Sequence, residues 1–138
     1  MPTSKELKDA GLKTTLPRLR ILAILTESDE RHFTAEDVYK ALLDAGEEIA
    51  FATVYRVLTQ FENAGLVLRH NFEGGRAVFE IDNGKHHDHM VCVKCNTVTE
   101  FFDEEIESRQ HKVAEEFGFE LQDHSLYLYG MCSNCLQA

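Results

Sequence analysis

Long apolar runs are missing from this chain of 138 residues. The longest unbroken aliphatic stretch is residues 21–25, far below the roughly 20 residues that a membrane-spanning helix needs. Its first residues, Met1-Pro2-Thr3-Ser4-Lys5-Glu6, carry no apolar stretch ahead of a cleavage site, so no signal peptide is expected and the chain reads as cytoplasmic. No internal repeat and no low-complexity segment interrupts it. A nucleophile motif, a phosphate loop and a substrate-pocket signature are also lacking, which leaves little room for an enzyme. Cysteine does not occur before position 92. Positive charge is scarce, with 14 Lys and Arg against 24 Asp and Glu and a formal net charge of −10. Taken whole, that balance argues against a nucleic-acid partner.

The charge is unevenly spread, however. Residues 1–20 hold five basic and two acidic side chains, whereas residues 83–138 hold four basic and ten acidic ones. Acid therefore gathers in the C-terminal part, where carboxylates can hold cations, although a solvated acidic surface accounts for most of them. A hydrophobic fraction of 43% is ordinary for a globular protein, and the length suits one domain or two small ones.

Four helices are predicted in the first half. One spans residues 4–10. A second starts between Thr15 and Pro17, since proline suits a first helical position, and it buries a stripe of Leu19, Leu22, Ala23, Leu25 and Thr26. Thr34 caps a third, with Asp37 completing a capping box, Val38, Ala41 and Leu42 inward and Gly46 as its stop. The fourth runs from Ala52 to Ala64. Val54, Val57, Leu58 and Phe61 share one face, Thr53, Arg56, Thr59, Gln60 and Asn63 fall away from it, and Tyr55 sits on the flank. Such a helix suits a DNA major groove, or equally a solvated polar face. Residues 66–72 and 76–81 then form a hairpin around Glu73-Gly74-Gly75, completing a winged helix-turn-helix.

Asp82-Asn83-Gly84-Lys85 reads as a turn and a domain boundary. We expect a DNA-binding domain over residues 1–82, a hinge over 83–85 and a second domain over 86–138. In the latter, residues 86–93 and 97–102 read as strands and Asp103 caps a helix to about Phe117, with Ile106, Val113 and Phe117 inward. Residues 121–131 read as a long final strand. The expected fold class is α+β: an N-terminal winged helix-turn-helix domain plus a small C-terminal α/β domain.

Two constellations carry chemistry. Cys92-Val93-Lys94-Cys95 and Cys132-Ser133-Asn134-Cys135 are paired chelators, and four thiolates suit a closed, tetrahedral, structural Zn²⁺ site. Free thiols or a redox pair are the alternatives. The 36 residues between the pairs are acceptable if Cys132 returns beside Cys92. Such a site ties the end of a small domain to its start. His86-His87-Asp88-His89 is the second constellation. In a strand, side chains alternate, so His86 and Asp88 face one way and His87 and His89 the other, serving two sites. Glu100, Glu80 and His32 are candidate partners for His87 and His89. Glu107 and His124 are candidates for His86 and Asp88. A polar hinge is the plain alternative, and each partner taken singly reads as a surface side chain. His70 and His111 are left as surface.

Gly11-Leu12-Lys13-Thr14-Thr15-Leu16-Pro17-Arg18, Ala52-Thr53-Val54-Tyr55-Arg56-Val57-Leu58, His86-His87-Asp88-His89-Met90-Val91-Cys92 and the cysteine pairs together resemble the ferric uptake regulator family, in order and across essentially the whole chain. The resemblance implies a homodimer, joined through the C-terminal domain, that represses iron-acquisition genes by binding operator DNA, AT-rich and palindromic, when Fe²⁺ is abundant. It implies a sensing site of His32, Glu80, His87, His89 and Glu100, and a second site of His86, Asp88, Glu107 and His124. It implies structural zinc on Cys92, Cys95, Cys132 and Cys135. Tyr55 and Arg56 match base-reading positions and Lys13 a minor-groove contact, while Arg18 and Thr53 join the expected DNA face. Glutamates at 80 and 100, where peroxide-sensing relatives carry aspartates, and the lack of a sensing-site cysteine favour the iron-sensing branch. Mn²⁺, Co²⁺ or Zn²⁺ can replace Fe²⁺ on such ligands. A zinc- or manganese-responsive repressor, a zinc-dependent hydrolytic enzyme and a metal-storage or interaction module are the competing readings.

Overall fold

In a computed structural model of the chain, residues 4–137 are described. Met1, Pro2 and Thr3 at the start of the first expected domain, and Ala138 at the end of the second, lie outside the described residues. The elements run α1 (Ser4–Asp9), α2 (Leu16–Glu27), α3 (Ala35–Asp44), α4 (Phe51–Asn63), β1 (Val67–Phe72), β2 (Arg76–Ile81), β3 (Asp88–Cys92), β4 (Val98–Phe101), α5 (Glu104–Glu116), β5 (Tyr127–Gly130) and α6 (Ser133–Leu136). They fall into two compact units, residues 1–84 and 85–138. Among the described residues no helix is long and apolar enough to cross a membrane.

The N-terminal unit holds the hydrophobic core. Thr15 caps α2 by accepting the Arg18 N–H at 3.4 Å. The buried stripe of α2 is Ile21, Leu22 and Leu25, rotated from the expected one. Thr26 is exposed and donates its hydroxyl back to the Leu22 carbonyl at 2.9 Å, a bond that lets a polar β-branched residue sit outward on a helix. The capping box at Thr34 and Asp37 is present, with bonds of 2.9 and 3.1 Å. Val54, Val57, Leu58 and Phe61 of α4 are buried. Each such side chain contributes on the order of 1.5–3 kcal/mol by leaving water.

β1 and β2 pair antiparallel with Phe72 opposite Arg76 and Leu68 opposite Glu80. Gly74 and Gly75 take φ of +91° and +75°, a region open to glycine at no steric cost. Phe33 adds one more rung, donating to the Phe79 carbonyl at 2.9 Å and accepting from its N–H at 2.7 Å. That rung fixes His32 beside Glu80. Helices followed by this hairpin make the winged helix-turn-helix.

The C-terminal unit is a three-stranded sheet in the order β4-β3-β5, with β3 antiparallel to β4 and parallel to β5. Asp103 caps α5 through Oδ1, which accepts from Glu105 N at 2.9 Å and Ile106 N at 3.2 Å. Three expectations need correction. β3 begins at Asp88, so His86 and His87 precede it. The final strand is Tyr127–Gly130, not residues 121–131, because β3 offers only a short partner. Val113 and Phe117, expected inward, are 39% and 75% exposed. A sheet of four- and five-residue strands has too little apolar surface to cover α5, which buries no side chain. The one-turn α6 was not expected. The chain is α+β, a winged helix-turn-helix unit followed by an α/β unit.

Candidate metal centres and nucleic-acid face

The four cysteines converge because the sheet brings their carriers together. Cys92 ends β3 opposite Gly130 of the parallel strand β5, so the chain leaving β5 delivers Cys132 beside it. Cys95 follows in a turn closed by Asn96 N donating to the Cys92 carbonyl at 2.9 Å, with Asn96 at φ +66°. Cys135 comes from α6. Cys92 Sγ to Cys135 Sγ and Cys95 Sγ to Cys132 Sγ are each 3.7 Å, and all four thiols are free. Ligands on a tetrahedron with Zn–S of about 2.3 Å stand about 3.8 Å apart, so the sulfurs already have zinc spacing.

Backbone N–H groups of Cys132 and Cys95 donate to Cys92 Sγ at 3.4 and 3.5 Å and lower its pKa to about 5. The Thr97 hydroxyl beside Cys95 lowers that thiol too. Cys135, against Cys132 and withdrawn from water, is pushed up to about 12. Four sulfurs this close cannot all ionise without a cation among them.

The second cluster lies wholly in the C-terminal unit. His86 Nε2 is 3.2 Å from Asp88 Oδ1 and 3.1 Å from Glu107 Oε1. His124 Nε2 is 3.2 Å from Glu107 Oε1 and 3.8 Å from Asp88 Oδ1. One donor atom from each of the four lies within 4.8 Å of the others. Asp88 is 0% exposed. Burial, and then the Glu107 carboxyl, raise its pKa. Glu107 also loses hydration, yet Asp88 and the two histidines hold its carboxyl below the usual range. Two carboxylates and two imidazoles offer a surplus of lone pairs. Ligands about 2.1 Å from an ion and at right angles are about 3 Å apart, and this donor set fits a divalent cation.

Each unit also carries a smaller group. In the N-terminal unit, Glu80 is 0% exposed and its Oε2 is 3.2 Å from His32 Nε2. In the C-terminal unit, His89 sits in the central strand, 2% exposed, with Glu100 opposite it on β4. His87 Nε2 is 3.3 Å from Glu100 Oε1, and the rings of His87 and His89 have centroids 4.9 Å apart. Both groups have ligand spacing. Although His86 and His87 precede the strand, His86 joins Asp88 and His87 joins His89.

His70, read from the sequence as a surface side chain, is instead buried. It is 8% exposed and its Nε2 stands 2.6 Å from Glu80 Oε1. The hairpin register was the available signal. With Phe72 opposite Arg76, His70 faces Val78 and Glu80 is its diagonal neighbour on the same side of the sheet. His111 is exposed, as expected.

On α4, Tyr55 is 41% exposed, and Arg56 is exposed with Nη2 3.5 Å from Thr53 Oγ1. The Tyr55 hydroxyl accepts from Arg69 Nη2 at 2.5 Å, and the same guanidinium lies 5.4 Å from the Tyr55 ring centre. Lys13 is exposed. Arg18 spends Nη1 on the Lys13 carbonyl at 2.7 Å and Nη2 on Gln60 Oε1 at 3.0 Å.

A winged helix-turn-helix joined to an α/β unit with a four-sulfur cluster and nitrogen–oxygen clusters defines a class of metal-binding proteins with a DNA-reading fold. The model of the ferric uptake regulator family matches residues 9–129, and this chain belongs to that family. It is 61% identical over 135 residues, 98% of this chain and 99% of the relative, to the ferric uptake regulation protein of Legionella pneumophila. A crystal structure of the Vibrio cholerae ferric uptake regulator, described as revealing rearrangement of its DNA-binding domains, superposes with TM-score 0.89 at 56% identity, covering 94% of this chain and 98% of that one. The Helicobacter pylori regulator, described as having three functional metal binding sites, gives TM-score 0.86 at 26% identity, covering 98% of this chain and 89% of that one.

Proposed function

We propose that this chain is a metal-responsive transcriptional repressor of iron uptake, acting as a cytoplasmic homodimer on AT-rich, palindromic operator DNA. The family membership supports the repressor role, and the winged helix supports DNA as the partner. Iron is the regulatory metal and zinc the structural one. The four-sulfur spacing supports zinc on Cys92, Cys95, Cys132 and Cys135.

The observation that carries the reading is the pair of smaller donor groups. His32 and Glu80 belong to the N-terminal unit, and His87, His89 and Glu100 to the C-terminal one. We assign all five to one sensing site. A divalent cation bound there supplies the positive charge that lets the carboxylates of both units share a centre. His32 and Glu80 sit at the Phe33–Phe79 rung, so holding them orients the wing and α4 as one body. In a dimer the two α4 helices are thereby kept near the spacing of successive major grooves, about 34 Å. The coupling this requires between ligand and DNA is on the order of 1–3 kcal/mol.

Residues of the N-terminal unit divide the DNA work. Arg56 can donate two hydrogen bonds to a guanine edge, and Tyr55 offers a ring face to a thymine methyl. Thr53 lies beside Arg56, and Lys13 and Arg18 serve phosphate or a narrow minor groove. His86, Asp88, Glu107 and His124 form a further cation site. An anaerobic footprint on operator DNA with Fe²⁺, Mn²⁺, Zn²⁺ or chelator tests the reading. Protection with Fe²⁺ and none with chelator is expected; protection by Zn²⁺ or Mn²⁺ alone contradicts iron as the signal. Equal protection in all lanes contradicts metal control altogether.

A further inference from the structure

Glu80 is a buried carboxylate with a different histidine at each oxygen. His70 Nε2 is 2.6 Å from Oε1, and His32 Nε2 is 3.2 Å from Oε2. A carboxylate that binds a cation is ionised and only accepts hydrogen bonds, so in that state His70 Nε2 is the donor to Oε1. His70 is itself held. It lies in β1 opposite Val78, and its ring is stacked on Phe72, with centroids 5.8 Å apart and planes 2° from parallel. Its side chain is therefore fixed by backbone register and by ring packing rather than by Glu80 alone.

Resting on the sensing-site reading above, we propose that His70 is a positioning residue for that site: by occupying Glu80 Oε1 it leaves Oε2, the oxygen facing His32, as the single atom Glu80 presents to a cation. A carboxylate that chelates through both oxygens needs both available to the ion, and the bond from His70 takes up a lone pair of Oε1 and draws that oxygen toward β1. The consequence is selectivity. Large hard cations such as Ca²⁺ take six to eight oxygens and favour bidentate carboxylates, whereas smaller transition ions accept fewer ligands with more nitrogen. Restricting Glu80 to one oxygen therefore disfavours Ca²⁺ without adding a ligand for it to avoid. Outer hydrogen bonds of this kind characteristically set ligand orientation, and losing one changes metal affinity by about 10–100-fold.

The test is a Co²⁺ titration of the full chain, zinc-loaded on its cysteines, in a Glu107→Ala background that disables the other nitrogen–oxygen cluster. The visible d–d band, the ratio of Mn²⁺ to Ca²⁺ dissociation constants and the melting temperature of the chelated protein are read together. His70→Leu removes the donor. His70→Asn keeps polarity but ends one bond short, and serves if the leucine variant does not fold. His70→Gln places an amide N–H near the position of Nε2. Expected for Leu or Asn is a weaker Co²⁺ band, as coordination number rises, and a preference for Mn²⁺ over Ca²⁺ reduced about tenfold. Gln restores both. A merely structural role lowers the melting temperature but leaves band and preference as in the parent, and that result overturns the proposal. Glu80→Ala separates the two levels: an unchanged band there overturns the sensing-site reading itself, whereas a lost band there with no effect at His70 overturns only the role of His70.

Discussion

The guanidinium of Arg18 bridges from the Lys13 carbonyl to the side chain of Gln60 on α4, at 2.7 and 3.0 Å. The segment carrying Lys13 is thus fastened to the helix that carries Tyr55 and Arg56. On the proposed DNA face, this one placement leads us to expect two kinds of contact. Arg56→Ala is expected to lose about 1–3 kcal/mol on a matched operator and little on scrambled DNA. Lys13→Ala is expected to weaken both DNAs evenly and reduce the salt slope by about 1. Binding isotherms at several salt concentrations separate them, and equal losses on both DNAs for Arg56→Ala would refute base reading.

Arg18→Ala belongs between these cases. Because Arg18 touches Lys13 and Gln60 rather than standing free, its loss is expected to loosen the Lys13 segment as well as remove a cation. An Arg18→Lys variant keeps the charge but cannot span both acceptors with a planar fork. It is expected to bind operator more weakly than the parent. Full operator affinity in Arg18→Lys, measured in the same assay, means the bridge does not matter.

The metal groups predict a split between stability and response. His89→Ala is expected to abolish metal-stimulated DNA binding with the fold retained. Cys92→Ser removes a sulfur at zinc spacing and is expected to unfold the C-terminal unit, which has few buried side chains to support it. Circular dichroism melts with and without metal distinguish the two. A His89→Ala protein that still responds to Fe²⁺ takes His89 out of the sensing site.

Asp88 gives a pH dependence with a definite sign. Burial and Glu107 raise its pKa, so in chelated protein its neutral form is favoured by folding. That contribution is complete below the ordinary carboxyl value and is lost as pH rises through the raised one. A cation does the reverse, because it needs the ionised carboxylate. The rise in melting temperature on adding Mn²⁺ is therefore expected to grow as pH climbs from the carboxyl range toward neutrality, and to shrink in Asp88→Asn. A shift independent of pH contradicts Asp88 as a ligand.

Much of this was legible from the chain itself, for local reasons. Thr34 with Asp37 marks a helix start through two hydrogen bonds within four residues. Val54, Val57, Leu58 and Phe61 declare a buried face by spacing, and paired cysteines declare chelation. What needed the structure depended on distant partners. The shortness of β5 follows from the length of β3, and the exposure of Phe117 from the narrowness of the sheet. Spacing alone does not single out Ile21, because neighbouring apolar positions in α2 allow more than one stripe. His70 was readable in principle, since the Glu73-Gly74-Gly75 turn fixes the register that sets it diagonal to Glu80. A histidine in an irregularly alternating strand gives no local sign of its own burial.

Groups from both units are proposed to grip one cation. The most direct measurement is the Co²⁺ absorption spectrum, with dissociation constant, of the Glu107→Ala protein beside matched variants adding Glu80→Ala or His89→Ala. The prediction is that each substitution, one per unit, removes the same band and weakens the same binding event. If the band and affinity survive Glu80→Ala while depending on His89, the ion is held by one unit alone, and metal does not control DNA binding by joining the two units.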